Sequence, residues 1–377
     1  MGDTGYLRFP SIQGDTVVLV AEDDIWSVPL EGGPARRLTA SLGEVSHPAL
    51  SPDASLIAFT SREEHHPEVY CMPSSGGPAR RITWFGAISH VRGWTAEGEI
   101  LFAADAQTPF RHLIHLYTVA PEGGSPRRLD FGPAREAAFG PDGAVVLGLN
   151  TADPARWKRY RGGTAGELWI DPQGTGSFQR LLTLPGNLAS PMWLGARVYF
   201  LSDHEGVGNL YSCRPEGHDL RRHSSHAEYY ARFAKTDGVR IVYQHAAEVW
   251  VCDPEADTTR RVEVSLNSPR ARRNRRFVPA ERYLSDYALH PRGHSVAIHS
   301  RGKLFTMPLF EQAVRQHGQP DGVRYKLARW IGDGSSLVMV SDQGGDDAIE
   351  VHPEEPSATP KRLAGLDLGC ITDLATP

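Results

Sequence analysis

The residues best suited to chemistry in this chain are its clustered cations. Residues 106–119, AQTPFRHLIHLYTV, set Arg111 beside His112. Residues 155–171, ARWKRYRGGTAGELWID, interleave Arg156, Lys158, Arg159 and Arg161 with Trp157 and Tyr160 ahead of a Gly-Gly pair. Residues 269–277, PRARRNRRF, carry Arg270, Arg272, Arg273, Arg275 and Arg276. Guanidinium and ammonium groups are natural partners of carboxylates and phosphates, and aromatic rings beside them offer stacking faces. The second cluster could form a wall that contacts a peptide or its carboxylate. Alternatively, Trp157 and Tyr160 anchor a long inter-strand loop and the cations stay solvated. EGGPARRLT (31–39) and SSGGPARRIT (74–83) pose the same choice between an anion loop and a turn that recurs.

Other chemistry is missing from the sequence. There is no G-x-S-x-G elbow, no phosphate-binding G-x-x-x-x-G-K-[ST], no H-E-x-x-H and no dinucleotide fingerprint, so no catalytic residue is assigned. Sixteen histidines include His65-His66, His112 with His115, His223 with His226, and His290 with His294 and His299, but none has metal-ligand spacing. No metal or cofactor is expected. Cys71, Cys213, Cys252 and Cys370 lie far apart, and three of them follow aromatics in apolar stretches, the pattern of reduced thiols in buried strands. A net charge of -5 argues against a dedicated nucleic-acid binder. The arginine-rich segment is better suited to docking on acidic loops or to a subunit contact. With no signal-like start and no 18-residue apolar run, the expectation is a cytoplasmic protein without membrane contact.

The elements that must position these residues follow from a repeat. DIWSVPLEGGPARRLT (24–39), EVYCMPSSGGPARRIT (68–83), HLYTVAPEGGSPRRLD (115–130), ELWIDPQGTGSFQRLLT (167–183), NLYSCRPEGHDLRRHS (209–224) and EVWVCDPEADTTRRVEV (248–264) are copies of one half-module. Its aromatics, Trp26, Tyr70, Tyr117, Trp169, Tyr211 and Trp250, step by 44, 47, 52, 42 and 39 residues, a propeller-blade spacing. The other half, as in HPALSPDASLIAFTS (47–61), is a strand, a Pro-Asp-Gly type turn and an apolar strand. Each module is therefore four antiparallel strands that cannot bury both faces alone, and stacking around an axis solves that problem. The fold class expected is all-β: a β-propeller of six four-stranded blades followed by the first blades of a second propeller. Residues 1–265 form the first ring, 266–284 an Arg-rich linker, and 285–377 two blades and part of a third. CITDLATP at the end lines up with an approach strand, which suggests a fragment of a longer polypeptide. A single eight-bladed ring is the competing architecture. The double arginines, recurring in five of the six modules with Gln179-Arg180 in the fourth, read as charged gatekeepers on outer edges.

The module resembles the TolB-type propeller repeat, and the stretches ARWKRYRGGTAGELWID and AQTPFRHLIHLYTV in a six-module ring resemble the amino-terminal part of the tricorn proteases. That resemblance covers essentially the whole chain. It implies a second, seven-bladed propeller, then a PDZ-like domain and a serine-peptidase core beyond Pro377. It further implies a homo-oligomer, possibly hexameric, that trims oligopeptides and works with downstream aminopeptidases. A basic pair from the first ring would hold the peptide's carboxy terminus, a role that falls by position on Arg111 with His112 second. A histidine there would weaken carboxylate binding as pH rises. The other reading of that loop is a solvated turn. The substrate-binding candidates are thus Arg111, His112, Trp157, Lys158, Arg159, Tyr160 and Arg161. Two alternatives stand beside this one: a TolB-like protein-binding scaffold with no enzyme domain, and a prolyl-oligopeptidase-type propeller, which would need a downstream α/β-hydrolase.

Overall fold

In a computed structural model the described residues are 6–151, 153, 155–156, 158–270, 279–355 and 357–376. The chain forms two compact units, Met1–Arg273 and Asn274–Pro377. Among the described residues the first unit holds six sheets, each with four antiparallel strands from a continuous stretch of chain, and the first sheet has a fifth strand added at its outer edge. The first sheet runs Arg8–Gln13, Thr16–Ala21, Asp24–Pro29 and Gly33–Arg37. The innermost strands of the next five are Val45–Leu50, Ser89–Trp94, Glu136–Phe139, Leu188–Leu194 and Ala231–Thr236.

The recurring aromatic belongs to the third strand of each sheet and pairs with the middle of the second. The pairs are Trp26 with Leu19, Tyr70 with Phe59, Tyr117 with Phe102, Trp169 with Leu147, Tyr211 with Phe200, and Trp250 with Tyr243. Three of these pairs stack ring on ring at 5.5–6.4 Å, an arrangement worth about 0.5–1.5 kcal/mol beyond area burial. Neighbouring sheets bury these faces against each other. Val18, Ile25, Phe59 and Tyr70 share one core cluster, and Val146, Ile170, Phe200 and Tyr211 share another.

The sixth sheet packs on the first. Trp26, Val28 and Leu30 share a cluster with Val249, Val251 and Val262, and Leu7 N donates to Ala247 O at 3.0 Å. A short strand, Val264–Leu266, then lies parallel to Gly33–Ala35 on the outer edge of the first sheet. The inner strands therefore surround an axis.

The double arginines occupy the fourth, outermost strands, but exposure at an edge is only part of their role. In four of the six sheets the arginine that ends the pair, or Arg180 in the fourth, returns to the acid that opens the third strand, 13 residues earlier: Arg37 to Asp24, Arg81 to Glu68 (3.3 Å), Arg180 to Glu167 (2.7 Å) and Arg261 to Glu248 (2.5 Å). The first arginine reaches a turn carbonyl of the following sheet: Arg36 to Ser75 O (2.9 Å), Arg80 to Pro121 O (2.6 Å) and Arg260 to Leu30 O (3.3 Å). The sequence shows the recurrence, and the structure adds the partners.

The second unit contains two further four-stranded sheets with inner strands Leu284–Leu289 and Tyr325–Ile331, built on Leu304, Tyr325, Trp330, Leu337 and Met339. Residues 371–376 form no ladder. They are tied by Lys326 Nζ to Ile371 O (2.6 Å) and by Thr376 Oγ1 to Trp330 O (3.0 Å). Cys71, Cys213 and Cys252 are buried, whereas Cys370 is exposed. Of the arginine-rich segment, 271–278 lies outside the described residues, and Arg270 pairs with Glu22 at 3.1 Å. No helix among the described residues is long and apolar enough to cross a membrane.

Candidate functional site: the axis of the first ring and its rim

The inner strands are not regular. Register shifts interrupt those of the first, second, third, fifth and sixth sheets, and at four of these shifts Phe9, His47, Ser190 and Phe233 adopt φ of 49–52°. A left-handed conformation in such residues costs free energy and persists only where the surroundings over-determine it. Here the surroundings are rings converging from four sheets. Phe9 lies 4.4 Å from both His47 and Phe233 between centroids, and His47 lies 4.8 Å from His90.

Beside this cluster, Lys235 on the sixth sheet donates its ammonium to the carbonyl of Arg92 on the third. In a ring of six these sheets face each other, so the bond crosses the axis. Glu136 accepts from Ser190 N at 3.0 Å. Burial, with the positive fields of His90, Arg92, Lys235 and Arg8, holds His47 well below the ordinary imidazole range. Burial, with Arg92, Arg62 and Arg135, takes His90 down to about 3. Burial also lowers Lys235 to about 8, although Glu136 pulls the other way.

On one side of this waist a funnel of about 370 Å³ is lined by Ser11, Arg92, Trp94, Glu136, Ser190 and Lys235, among others. It also reaches Gln13, Pro52, Thr95 and Asp237, and so opens where first strands turn into second strands.

The expected site residues lie on the opposite face, where second strands lead into third. In the loop 105–114, Asp105 accepts from Ile88 N (2.9 Å) and His112 N (3.2 Å), and His112 takes φ 70°. Phe110, Arg111 and His112 are exposed at its tip, and Arg111 forms no hydrogen bond or ion pair among the described residues.

The fourth sheet's loop folds inward. Asp153 pairs with Arg232, Arg159 N donates to Asp203 Oδ2 (2.6 Å), and Thr164 donates to the Tyr160 hydroxyl (3.2 Å). Lys158 sits 5.6 Å over the Tyr230 ring and lines a 400 Å³ hollow with Tyr6, Glu228, Tyr229 and Arg232. Arg161 lines a different, 160 Å³ hollow beside Glu167 and Arg180. Trp157 lies outside the described residues. Lys158 and Arg161 thus line two different hollows, and no hydrogen bond or ion pair joins Arg111 or His112 to Lys158, Arg159, Tyr160 or Arg161 among the described residues.

The waist residues His47, His90, Arg92, Glu136 and Lys235 are not among the sequence candidates. A signal was available: charged or imidazole side chains in the middle of approach strands, as in SHPAL, HVRGW, REAAF and ARFAK.

In the second unit, His290, His294 and Glu354 place one ligand atom each within 4.8 Å of one another. His290 is already engaged on both nitrogens, accepting from Arg292 N at Nδ1 (3.1 Å) and bonding Gly334 O through Nε2 (3.2 Å). That leaves no lone pair for a metal.

Residues 4–258 match the tricorn protease N-terminal beta propeller domain. The chain belongs to the tricorn protease family. It is 39% identical over 395 residues to a putative tricorn protease homolog 2 of Streptomyces coelicolor, covering all of this chain and 33% of that protein. It is 31% identical over 348 residues to the tricorn protease of Thermoplasma acidophilum, covering 89% of this chain and 32% of that one. The crystal structure of the tricorn protease superposes with a TM-score of 0.77 at 28% identity, covering 98% of this chain and 36% of that chain. The chain therefore spans about a third of the length of these relatives and corresponds to the propeller region of a tricorn-like protease. This favours the tricorn reading of the repeat over a free-standing TolB-like scaffold.

Proposed function

We propose that this chain is the non-catalytic propeller region of a longer, cytoplasmic, homo-oligomeric serine protease of tricorn type, and that its first ring handles oligopeptides for a peptidase core carried elsewhere. Nucleophilic acyl transfer by a serine with a histidine base is the chemistry assigned to that core. The role of this chain is to bind and orient. Domain limits of 1–265, 266–284 and 285–377, with the last segment opening a second ring, belong to the same proposal.

One observation carries the binding role: Arg111 stands exposed, and without a partner among the described residues, at the tip of a loop whose base is fixed by Asp105. A permanently charged fork on a braced loop can take a carboxylate without first breaking another bond. The loop with Lys158 connects the same strands of the next sheet, so it leaves the ring on the same face and supplies the wall.

The test uses the full-length parent enzyme. Arg111→Glu is expected to impair cleavage near free peptide carboxy termini by about tenfold, the loss of one charge-assisted contact, and to spare amidated peptides. Equal effects on both substrates remove Arg111 from the site. The isolated 377-residue chain is expected to show no peptidase activity.

A further inference from the structure

The funnel on the other face has a charge imbalance that its own residues do not settle. Among the side chains that line it, Arg92 and Lys235 are cations and Glu136 and Asp237 are anions. Asp237 lies at the mouth and is already committed, accepting from Val239 N (3.0 Å) and Arg240 N (2.7 Å) and lying 3.5 Å from the Arg240 guanidinium. Glu136 is then the carboxylate left to serve two cations, and one of its oxygens is taken by Ser190 N. No salt bridge to Arg92 or to Lys235 occurs among the described residues, and Lys235 is satisfied by a carbonyl, which carries no compensating charge. Arg92 Nε is buried with no hydrogen-bond partner.

Cations withdrawn from water without an anion are costly, and the usual resolutions are a counter-charge or loss of the proton. An arginine does not lose its proton in proteins. Both side chains are half-buried and line the funnel, so an anion from outside can supply the missing counter-charge, and the 370 Å³ funnel provides the room for one. Its shape restricts the candidates. A planar guanidinium and an adjacent ammonium suit the two oxygens of a carboxylate, and Trp94 and Trp193 add apolar wall for whatever that carboxylate terminates.

We propose that the floor of this funnel is a carboxylate-binding site formed by Arg92 and Lys235, on the face of the ring opposite Arg111. The site follows from charge and geometry and does not rest on the peptide-handling role proposed above. The carboxylate could be a free small ion or a peptide carboxy terminus, and the experiment separates the two.

The indole N–H resonances of Trp94 and Trp193, assigned by Trp94→Phe and Trp193→Phe, are followed by NMR in the full 377-residue chain. The ligands are sodium acetate, acetamide, and N-acetyl-glycylglycine as free acid and as amide, with potassium chloride as the ionic-strength control. Acetate is expected to shift both resonances saturably, with acetamide and chloride leaving them in place. Lys235→Met is expected to weaken binding by about tenfold or more, and Arg92→Gln serves as the second variant if the first does not fold. Binding of the free-acid dipeptide tighter than acetate, with no binding of its amide, identifies a peptide terminus as the source. Binding of acetate alone identifies a free small carboxylate. Absence of a saturable acetate shift, or equal shifts in the wild type and both variants, overturns the site. Because acetate binding needs neither proteolysis nor Arg111, failure here and failure of the proposed function are read separately.

Discussion

Lys235 Nζ and the main-chain carbonyl of Arg92, 143 residues apart in the chain, meet across the axis of the first ring. The bond joins opposite sheets at the waist of the ring. Three residue-level consequences can be measured.

Lys235 titrates near 8 in the folded chain, because burial disfavours its charged form and Arg92 repels it while Glu136 partly compensates. An unfolded lysine titrates near ~10.4. Between these values the unfolded chain holds more protons, so this residue's contribution to stability rises with pH, and below about 8 the buried charge exerts its full cost. Urea unfolding of wild type and Lys235→Met at pH 7 and pH 10 should show the wild type gaining roughly 2–3 kcal/mol on the variant as pH rises. A difference independent of pH would sink this account of the waist.

His47 and His90 are held neutral by burial, with Arg92 acting on both, Lys235 and Arg8 on His47, and Arg62 and Arg135 on His90; Asp105 opposes the shift at His90. Their folded values lie below the ~6.5 of an unfolded histidine, so the unfolded chain takes up more protons on acidification. Stability from these groups is complete above about pH 6.5 and declines below it, at up to about 1.4 kcal/mol per pH unit for each. Thermal melts from pH 7.5 to 4.5 should show a steep fall in Tm, and the double variant His47→Gln, His90→Gln should flatten it. Parallel curves would show that the acid sensitivity arises elsewhere.

Glu68 opens the third strand of the second sheet almost fully buried, accepting from Arg81 (3.3 Å), Thr83 Oγ1 and Gly86 N (2.7 Å). Removing one partner of a buried charged network costs about 3–5 kcal/mol. Glu68→Ala should approach that range in chemical denaturation, whereas Arg127→Ala, whose ion pair to Glu99 is exposed, should cost under about 1 kcal/mol. Similar losses for both would show that position within the module does not matter.

The fold was legible because its signals are local and repeated. An aromatic every 39–52 residues and an arginine pair after all but Trp169 mark out the sheets, and the 13-residue interval from Glu68 to Arg81 or Glu248 to Arg261 recurs for the same reason. The waist was not legible, because it is assembled from residues far apart in the chain. Arg92 and Lys235 read as ordinary members of two approach strands, and nothing local reports the φ of 51–52° at His47 and Phe233. The loop 155–161 was misleading in another way. Its composition suggests one cationic surface, but with Arg159 at φ 56° and its N–H tied to Asp203 the loop places Lys158 and Arg161 in separate hollows.

The four antiparallel strands of each sheet in the first unit come from one uninterrupted stretch of chain, and the seam between the sixth and first sheets is made by contact, by Val264–Leu266 pairing as a fifth strand on the first sheet and by arginine clasps such as Arg260 on Leu30 O. No four-stranded ladder is assembled from both ends of the chain. A circular permutant could therefore begin at any inter-sheet connection without splitting a sheet. This seam is the one place among the described residues where neighbouring sheets of the ring are joined by pairing and side-chain contacts without a direct chain connection between their four-strand stretches.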